Sequence, residues 1–88
     1  MRWYVYIIES EKDGTFYKGH TSDYLQRLNE HNSGLSKFTA TKSPWILRYV
    51  EQHSSKTIAI KRELMLKRQN HKYFEWLFLQ STNLLIEK

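Results

Sequence analysis

Four side chains along the sequence are of types that could together hydrolyse a phosphate ester. Tyr6 and Tyr17 carry phenols, which can act as bases when nearby positive charge lowers their pKa. Arg27 presents a planar fork of donors and a permanent charge, which match phosphate oxygens. Glu63 supplies a carboxylate, and Mg²⁺ commonly takes only one or two protein oxygens beside water and substrate phosphate. The fold must bring these four residues together for that chemistry to occur.

A β-hairpin is predicted to bring the two tyrosines together. The segment Tyr4–Ile8 is aromatic and β-branched, which favours a strand, and Phe16–His20 is predicted as the returning strand. Between them, the dipeptide Asp13-Gly14 is a strong signal for a two-residue turn. The two strands are therefore predicted to pair antiparallel.

The predicted turn also sets which residues face each other. A two-residue turn at this dipeptide places Tyr6 opposite Thr21 and Ile8 opposite Gly19. Because side chains alternate between the faces of a strand, one face is predicted to hold Tyr4, Tyr6, Tyr17, Gly19 and Thr21. A glycine there leaves space for another group to approach the backbone. Tyrosine in a strand is also ordinary core material, so a structural role for these phenols is the alternative.

A first helix is predicted to follow the hairpin. Ser22 or Asp23 can cap its start, and Ser33-Gly34 is typical of a helix end. Leu25 and Leu28 lie three residues apart among polar neighbours and are expected to face the core.

The same helix carries Arg27 and His31 one turn apart, with Tyr24 on the same side. Arg27 is therefore expected at the edge of the buried stripe. Two simpler interpretations stay open: Arg27 can pair with Asp23 or Glu30, and His31 can be an ordinary residue near a helix end.

The rest of the chain predicts one more strand and two more helices. The predicted segments are a loop over Leu35–Ser43, a strand over Trp45–Val50 after Pro44, a helix from Ser54-Ser55 to about Gln69, a break at Asn70-His71, a helix over Tyr73–Leu79 and a tail over Thr82–Lys88 without assigned structure. The element order β-β-α-β-α-α predicts a small α/β fold with a three-stranded, mainly antiparallel sheet. Residues 1–88 are expected to form one domain.

Glu63 lies on the second predicted helix between Ala59 and Leu66, at the positions one turn before and after it. A carboxylate bordered by apolar residues is unfavourable unless it is paired or binds a metal ion. Lys67, one turn later, is the alternative partner.

Charge is unevenly distributed along the chain, whose formal net charge is +5. Residues 1–30 hold four basic and five acidic side chains, whereas residues 53–73 hold six basic side chains and one acid. A solvated helix face usually mixes signs, so this excess of positive charge favours a polyanionic partner such as nucleic acid. A solvated cationic helix and a surface for an acidic protein are the alternatives.

Composition excludes several classes of protein. The chain is 40% hydrophobic and 15% aromatic, which is too apolar for an intrinsically disordered chain. No apolar run is long enough to span a membrane, so no membrane association is expected. The chain has no cysteine, which excludes disulfides, thiolate metal sites and cysteine nucleophiles. With no signal-peptide pattern before Trp3, the cytoplasm is the expected compartment.

The spacing of these residues resembles the GIY-YIG nuclease family, above all its small stand-alone bacterial members. The first tripeptide of that family corresponds to Tyr4-Val5-Tyr6 and the second to Tyr17-Lys18-Gly19. The family arginine corresponds to Arg27, the following tyrosine or histidine to His31, and the family glutamate to Glu63. The resemblance extends from about Trp3 to Trp76; for the asparagine that closes the module in several members, Asn70 and Asn83 are candidates without a clear spacing match.

The resemblance implies a GIY-YIG endonuclease-like fold and a metal-dependent endonuclease that hydrolyses DNA phosphodiester bonds in DNA repair or recombination. It implies Mg²⁺ (or Mn²⁺) held by Glu63, and Arg27 as the electrophilic group on the phosphate. Tyr17 is then the first choice for the general base and Tyr6 the second. His20 and His31 could relay the proton or contact phosphate. A catalytically weak DNA- or RNA-binding module of the same fold is the alternative.

The basic residues are predicted to bind the nucleic-acid backbone, with Leu35–Lys42 as a mobile flanking loop. The predicted nucleic-acid-binding residues are Lys18, His20, Lys56, Lys61, Arg62, Lys67, Arg68 and Lys72.

Overall fold

The computed structural model describes residues 2–86 and confirms the predicted fold class and element order. The elements are β1 (Trp3–Ser10), β2 (Phe16–Thr21), α1 (Tyr24–Asn32), a 3₁₀ turn (Ala40–Lys42), β3 (Trp45–His53), α2 (Lys56–Leu66) and α3 (His71–Leu77). Within these residues the sheet has three strands in the order β2-β1-β3, and both pairings are antiparallel. None of the described helices has the length and apolar character needed to cross a membrane.

The hairpin register differs from the prediction by two residues. Tyr6 faces Gly19 and Ile8 faces Tyr17, because the connection contains four residues, 11–14, instead of two. The Ser10 amide donates to the Thr15 carbonyl at 2.9 Å and closes this wider loop. Since a shift of two residues preserves the alternation of faces, the predicted shared face of phenols is confirmed.

Side chains of the turn explain why the wider loop forms. The Ser10 hydroxyl accepts hydrogen bonds from the amides of Lys12 and Asp13, at 3.1 and 3.3 Å. The Asp13 carboxylate accepts from the Thr15 amide at 3.0 Å, and Gly14 adopts a φ of 77°. This positive φ is available to glycine without steric strain. The Asp-Gly pair therefore does form a turn, but inside a longer loop.

The central strand β1 is buried on both faces, so the sheet lies between two cores. Against α2 and α3, the core contains Val5, Ile7, Tyr49, Ala59, Leu66, Phe74, Leu77 and Phe78. Against α1, it contains Tyr6, Ile8, Trp45 and Val50. Strand β2 is an edge strand, so one of its two long sides has no neighbouring strand in the sheet.

Helix α1 begins where it was predicted, but its buried face is different. Asp23 is the N-cap, and its carboxylate accepts from the Gln26 amide at 3.1 Å. The prediction that Leu25 faces the core is wrong, since its side chain is 64% exposed. Tyr24, Leu28 and the fully buried His31 share the inner face instead, because they follow the helical repeat of three to four residues.

The remaining boundaries move by a few residues. Strand β3 continues to His53, whereas α2 ends at Leu66, three residues before the predicted end. Asn70 caps α3 by accepting from the Tyr73 amide at 2.9 Å. These differences lie at element ends, where local sequence signals are weakest.

The chain after α3 packs against β3. The buried Asn83 donates to the Arg48 and Phe78 carbonyls at 3.1 and 3.0 Å, and it accepts from the Val50 amide at 3.2 Å. Both asparagines considered for the end of the module therefore have structural contacts. Of the predicted tail, Glu87 and Lys88 lie outside the described residues.

Candidate active site at the edge strand

The ring of Tyr6 occupies the space above Gly19. A Cβ atom on Gly19 would overlap the Tyr6 hydroxyl and ring. The expectation that this glycine leaves room for an incoming group is therefore wrong, because the room is filled by Tyr6 itself. In a close-packed interior, glycine is the residue that lets this ring lie against the strand.

The Tyr6 hydroxyl begins a buried chain of hydrogen bonds. It lies 2.9 Å from Nε2 of His31, and Nδ1 of His31 lies 2.7 Å from the Thr39 hydroxyl. The Thr39 hydroxyl in turn donates to the Ser36 carbonyl at 3.4 Å. Because the Thr39 hydroxyl donates its proton to the Ser36 carbonyl, it accepts a hydrogen bond from Nδ1–H of His31. Nε2 of His31 then accepts a hydrogen bond from the Tyr6 hydroxyl. This arrangement requires a neutral imidazole.

Burial favours the same protonation states. It lowers the pKa of His31 to about 4, with a smaller contribution from the positive charge of Arg27. Burial is also the main reason that the pKa of Tyr6 is raised well above the usual value for a phenol. Tyr6 and His31 therefore form a fixed, uncharged pair near neutral pH.

The lowered pKa of His31 predicts a pH-dependent stability. Unfolded His31 takes up a proton near pH 6.5, but folded His31 does so only near pH 4. The free energy of unfolding should therefore fall as the pH falls between these values, by at most about 3 kcal/mol from this residue. Chemical denaturation from pH 4 to pH 7 should show this loss in the wild type and not in His31→Gln. Parallel pH profiles for the two proteins would contradict the prediction.

Tyr17 reaches the surface, as the partly buried Tyr4 on the same face does. Its half-buried ring packs 5.1 Å from the ring of His31 and 6.4 Å from the ring of Trp45, centroid to centroid. Tyr6, by contrast, is only 2% exposed. Aromatic packing thus holds the Tyr17 ring in place while leaving part of it open to solvent.

Arg27 lies beside these phenols. It donates to Glu30 at 2.8 Å, which confirms one of the two alternative pairings, while Asp23 serves as the helix cap. The hydrogen bond to Glu30 and contact with Tyr6 raise the pKa of Arg27. Its side chain is about one-third exposed, at 32%, so the guanidinium can still meet a ligand.

Glu63 lies on the other side of the edge strand, between buried Ala59 and Leu66 as predicted. Its Oε1 is 2.7 Å from Nδ1 of His20, and its Oε2 is 2.9 Å from Nζ of Lys67. The alternative pairing with Lys67 is therefore confirmed, and His20 is a second partner. The carboxylate is 11% exposed.

Strand β2 connects the two halves of the site. Tyr17 and Gly19 face α1, whereas Lys18 and His20 face α2, because successive side chains alternate. The halves interact electrostatically around this edge. Beyond the effect of burial, the proximity of Tyr17 and of Glu63 raises the pKa of Tyr6. The residues singled out by type therefore do converge on one edge of the sheet.

The donor groups fit a metal ion held through a single protein ligand. Among residues 2–86, no group of three or more histidine and carboxylate side chains is arranged to bind a metal ion. Glu63 offers a hard carboxylate, and Mg²⁺ can complete its coordination with water and phosphate oxygens. Lys67 is half exposed, so its ammonium can leave Oε2 when a cation binds.

Besides Lys67, two more of the predicted basic residues lie beside this edge, Lys18 and Lys56. The Lys18 ammonium donates to the Phe16 carbonyl at 3.2 Å and lies 5.2 Å from the centre of the Phe74 ring. Burial, with a smaller effect of Lys67, lowers its pKa. Lys56, at the start of α2, lies 5.3 Å above the Trp3 ring. The remaining lysines and arginine of the set, Lys61, Arg68 and Lys72, are exposed, as are Lys56 and Lys67.

Arg62 is separated from the other cations. Its Nε donates to Glu51 at 2.8 Å on the β3 side of α2. The same carboxylate also contacts the Tyr49 hydroxyl, at 2.6 Å, and His53. Arg62 is thus committed to an internal ion pair, which the run of basic residues in the sequence did not reveal.

Sequence reasoning also missed Thr39. Thr39 is fully buried, its hydroxyl contacts His31, and its carbonyl accepts from the Trp45 indole at 2.9 Å. Within the segment predicted as a mobile loop, Thr39 is therefore held by hydrogen bonds of its hydroxyl and its carbonyl. One hydroxyl in a loop rich in serine and threonine is no distinctive signal.

Comparisons with known proteins agree with this geometry. Residues 2–76 match the family model described as the GIY-YIG catalytic domain. The chain is 41% identical over 76 residues to a UPF0213 protein of Halobacterium salinarum, covering 85% of this chain and 97% of that protein. It is 40% identical over 67 residues to a UPF0213 protein of Streptococcus agalactiae, covering 75% of each.

A solved structure is also similar. The solution NMR structure of a UPF0213 protein from Bacillus halodurans matches with a TM-score of 0.58 and 32% sequence identity. The match covers 93% of this chain and 87% of that one.

Proposed function

Because this chain belongs to the GIY-YIG nuclease family, we propose that it is a metal-dependent endonuclease that hydrolyses DNA phosphodiester bonds, with residues 1–88 acting as one domain. The observation that carries the proposal is the convergence of a partly exposed phenol, a guanidinium and a carboxylate at the β2 edge. These are Tyr17, Arg27 and Glu63. The carboxylate is the site that would hold the metal ion.

Arg27 is the electrophilic group in this proposal. The negative charge of a phosphodiester grows on its non-bridging oxygens as water attacks, and a preorganised guanidinium stabilises that charge. Glu30 binds one side of the guanidinium, at 2.8 Å, and thereby limits its rotation. The remaining donors of the fork are available for phosphate oxygens.

Tyr17 is the general base, because it is the phenol of the pair that solvent and substrate can reach. Tyr6 is buried, has a raised pKa and donates its proton to neutral His31. We therefore assign Tyr6 and His31 as positioning residues that hold the aromatic wall behind Tyr17. His20 has a similar role toward the carboxylate of Glu63, which it contacts at 2.7 Å.

Glu63 would hold Mg²⁺ (or Mn²⁺), which when bound would stabilise charge on the leaving oxygen and lower the pKa of a bound water. Phosphate groups flanking the cleaved bond would bind the cations beside the edge, namely Lys18, Lys56 and Lys67. The exposed Lys61, Arg68 and Lys72 would extend this contact to further phosphates along the DNA. Arg62 is left out because of its ion pair with Glu51. A cytoplasmic role in DNA repair or recombination belongs to the same proposal.

One observation favours a second candidate, a nucleic-acid-binding module without activity. Both oxygens of Glu63 are already engaged, by His20 and Lys67, and a metal ion must displace at least one of them. The separating experiment is a nicking assay on duplex, branched and single-stranded DNA with Mg²⁺, Mn²⁺ or EDTA. We expect cleavage with either ion and none in EDTA. Binding without cleavage under all conditions would favour the inactive module.

A further inference from the structure

Phe38 is the most exposed large hydrophobic side chain among residues 2–86, with 87% of its surface open to solvent. Leu35, three residues earlier in the same loop, is 75% exposed. Burying a side chain of this size is worth about 1.5–3 kcal/mol, so the exposed ring is an available source of binding energy. Single exposed apolar residues are common on protein surfaces. Exposure alone therefore does not indicate a binding role for Phe38, and its position relative to the site must be considered.

The neighbouring residue fixes Phe38 relative to the site. Thr39 is bound through its hydroxyl to His31, at 2.7 Å, and through its carbonyl to the Trp45 indole, at 2.9 Å. The rings of both partners pack against Tyr17, at 5.1 and 6.4 Å between centroids. The backbone that carries Phe38 is thus attached to the two rings that flank the proposed base.

The charge around this ring suits a nucleic acid. Residues 35–42 contain Lys37 and Lys42 and no acidic side chain. Lys42 is paired with Asp13 at 3.1 Å, so Lys37 is the lysine of this segment that a phosphate can meet. Lys37, directly before Phe38, is exposed. An aromatic ring next to a lysine matches the two surfaces of a nucleotide, the face of its base and its phosphate.

We propose that Phe38 stacks on an unpaired nucleobase of DNA bound at the β2 edge. This inference rests on the proposed function only in taking DNA as the ligand. In an uninterrupted duplex each base is already stacked, and removing it costs a few kcal/mol, whereas an unpaired base is more readily available. The loop therefore selects DNA that contains an unpaired base over uninterrupted duplex.

The test compares binding to two labelled duplexes of the same sequence, one of them with a single unpaired base. Binding is measured by fluorescence anisotropy in EDTA, so that no cleavage is needed. Phe38→Ala should lose about 5- to 150-fold in affinity for the duplex with the unpaired base, the range expected for one lost stacking contact. Its affinity for the uninterrupted duplex should change less than twofold. Phe38→Trp keeps an aromatic face and should keep the preference.

Leu79→Ala is the matched control. Leu79 is 78% exposed and follows α3, on the other side of the sheet. This variant should bind both duplexes like the wild type. Melting temperatures of all variants should agree within a few degrees, since both side chains are exposed.

A 2-aminopurine at the unpaired position gives a second readout. Its fluorescence should be quenched by the wild type and by Phe38→Trp, and not by Phe38→Ala. Equal losses on both duplexes, no loss beyond that of Leu79→Ala, or no binding at all would overturn the inference. Cleavage of both duplexes regardless of Phe38 would overturn it and leave the proposed nuclease intact. Base-dependent binding without cleavage would support the inference and contradict the nuclease.

Discussion

Replacing Glu63 by glutamine is expected to reduce the rate of metal-dependent cleavage by at least about 10²–10³-fold, the effect of removing one preorganised electrostatic group from a site. Glutamine has nearly the same shape as glutamate. It can still form a hydrogen bond with His20, whose Nδ1 lies 2.7 Å from Oε1 of Glu63 in the wild type. The fold should therefore survive. The measurement is single-turnover cleavage at limiting Mg²⁺, with a thermal melt of each protein.

Glu75→Gln is the control for Glu63→Gln. Glu75 lies on α3 with its side chain 68% exposed, and its only described ion-pair partner is His71, at 3.8 Å. The control changes the net charge of the chain equally without touching the edge site, so its cleavage rate should stay within about twofold of the wild type, as expected for a surface substitution. Full activity of Glu63→Gln at limiting Mg²⁺ would remove Glu63 from the site.

Substituting the two central tyrosines by phenylalanine should have opposite consequences. Tyr17→Phe removes the proposed base and should lower the single-turnover rate by about 10²–10⁴-fold, the usual contribution of general-base catalysis. Its stability should hardly change, because the ring and its packing against His31 and Trp45 remain.

Tyr6→Phe should mainly lose stability. Its hydroxyl is the donor to buried His31, at 2.9 Å, and removing it leaves an imidazole nitrogen without a partner. The expected loss is about 1–2 kcal/mol in the free energy of unfolding. Cleavage should fall less than tenfold under conditions where the variant is folded. Cleavage assays beside denaturant titrations separate the two roles, and unchanged cleavage in both variants would leave the general base unassigned.

The hairpin shows what sequence reasoning can and cannot determine. The turn length was wrong, because the hydrogen bonds of Ser10 and Asp13 stabilise a four-residue loop that the Asp-Gly signal does not reveal. The predicted register was wrong by two residues, an even number, so every side chain stayed on its predicted face. Helix α1 shows the opposite case. Leu25 and Leu28 were predicted to face the core, but Leu25 is exposed, and the core face consists of Tyr24, Leu28 and His31.

The amino-acid sequence by itself determined the element order, the antiparallel pairing and the gathering of tyrosines on one face. These follow from local backbone geometry, which repeats every two residues in a strand and every 3.6 in a helix. It also determined the family, because the motif residues keep their spacing along nearly the whole chain.

Only the tertiary structure decided what each of those residues contacts. It buried Tyr6 and left Tyr17 accessible, and it paired Glu63 with His20, 43 residues away. It also committed Arg62 to Glu51, on the far side of the helix from the edge site. The physical reason is that burial and ion pairing depend on which elements pack together over long distances in the chain. Residue type and spacing limit the possible partners, and desolvation in the packed fold selects among them.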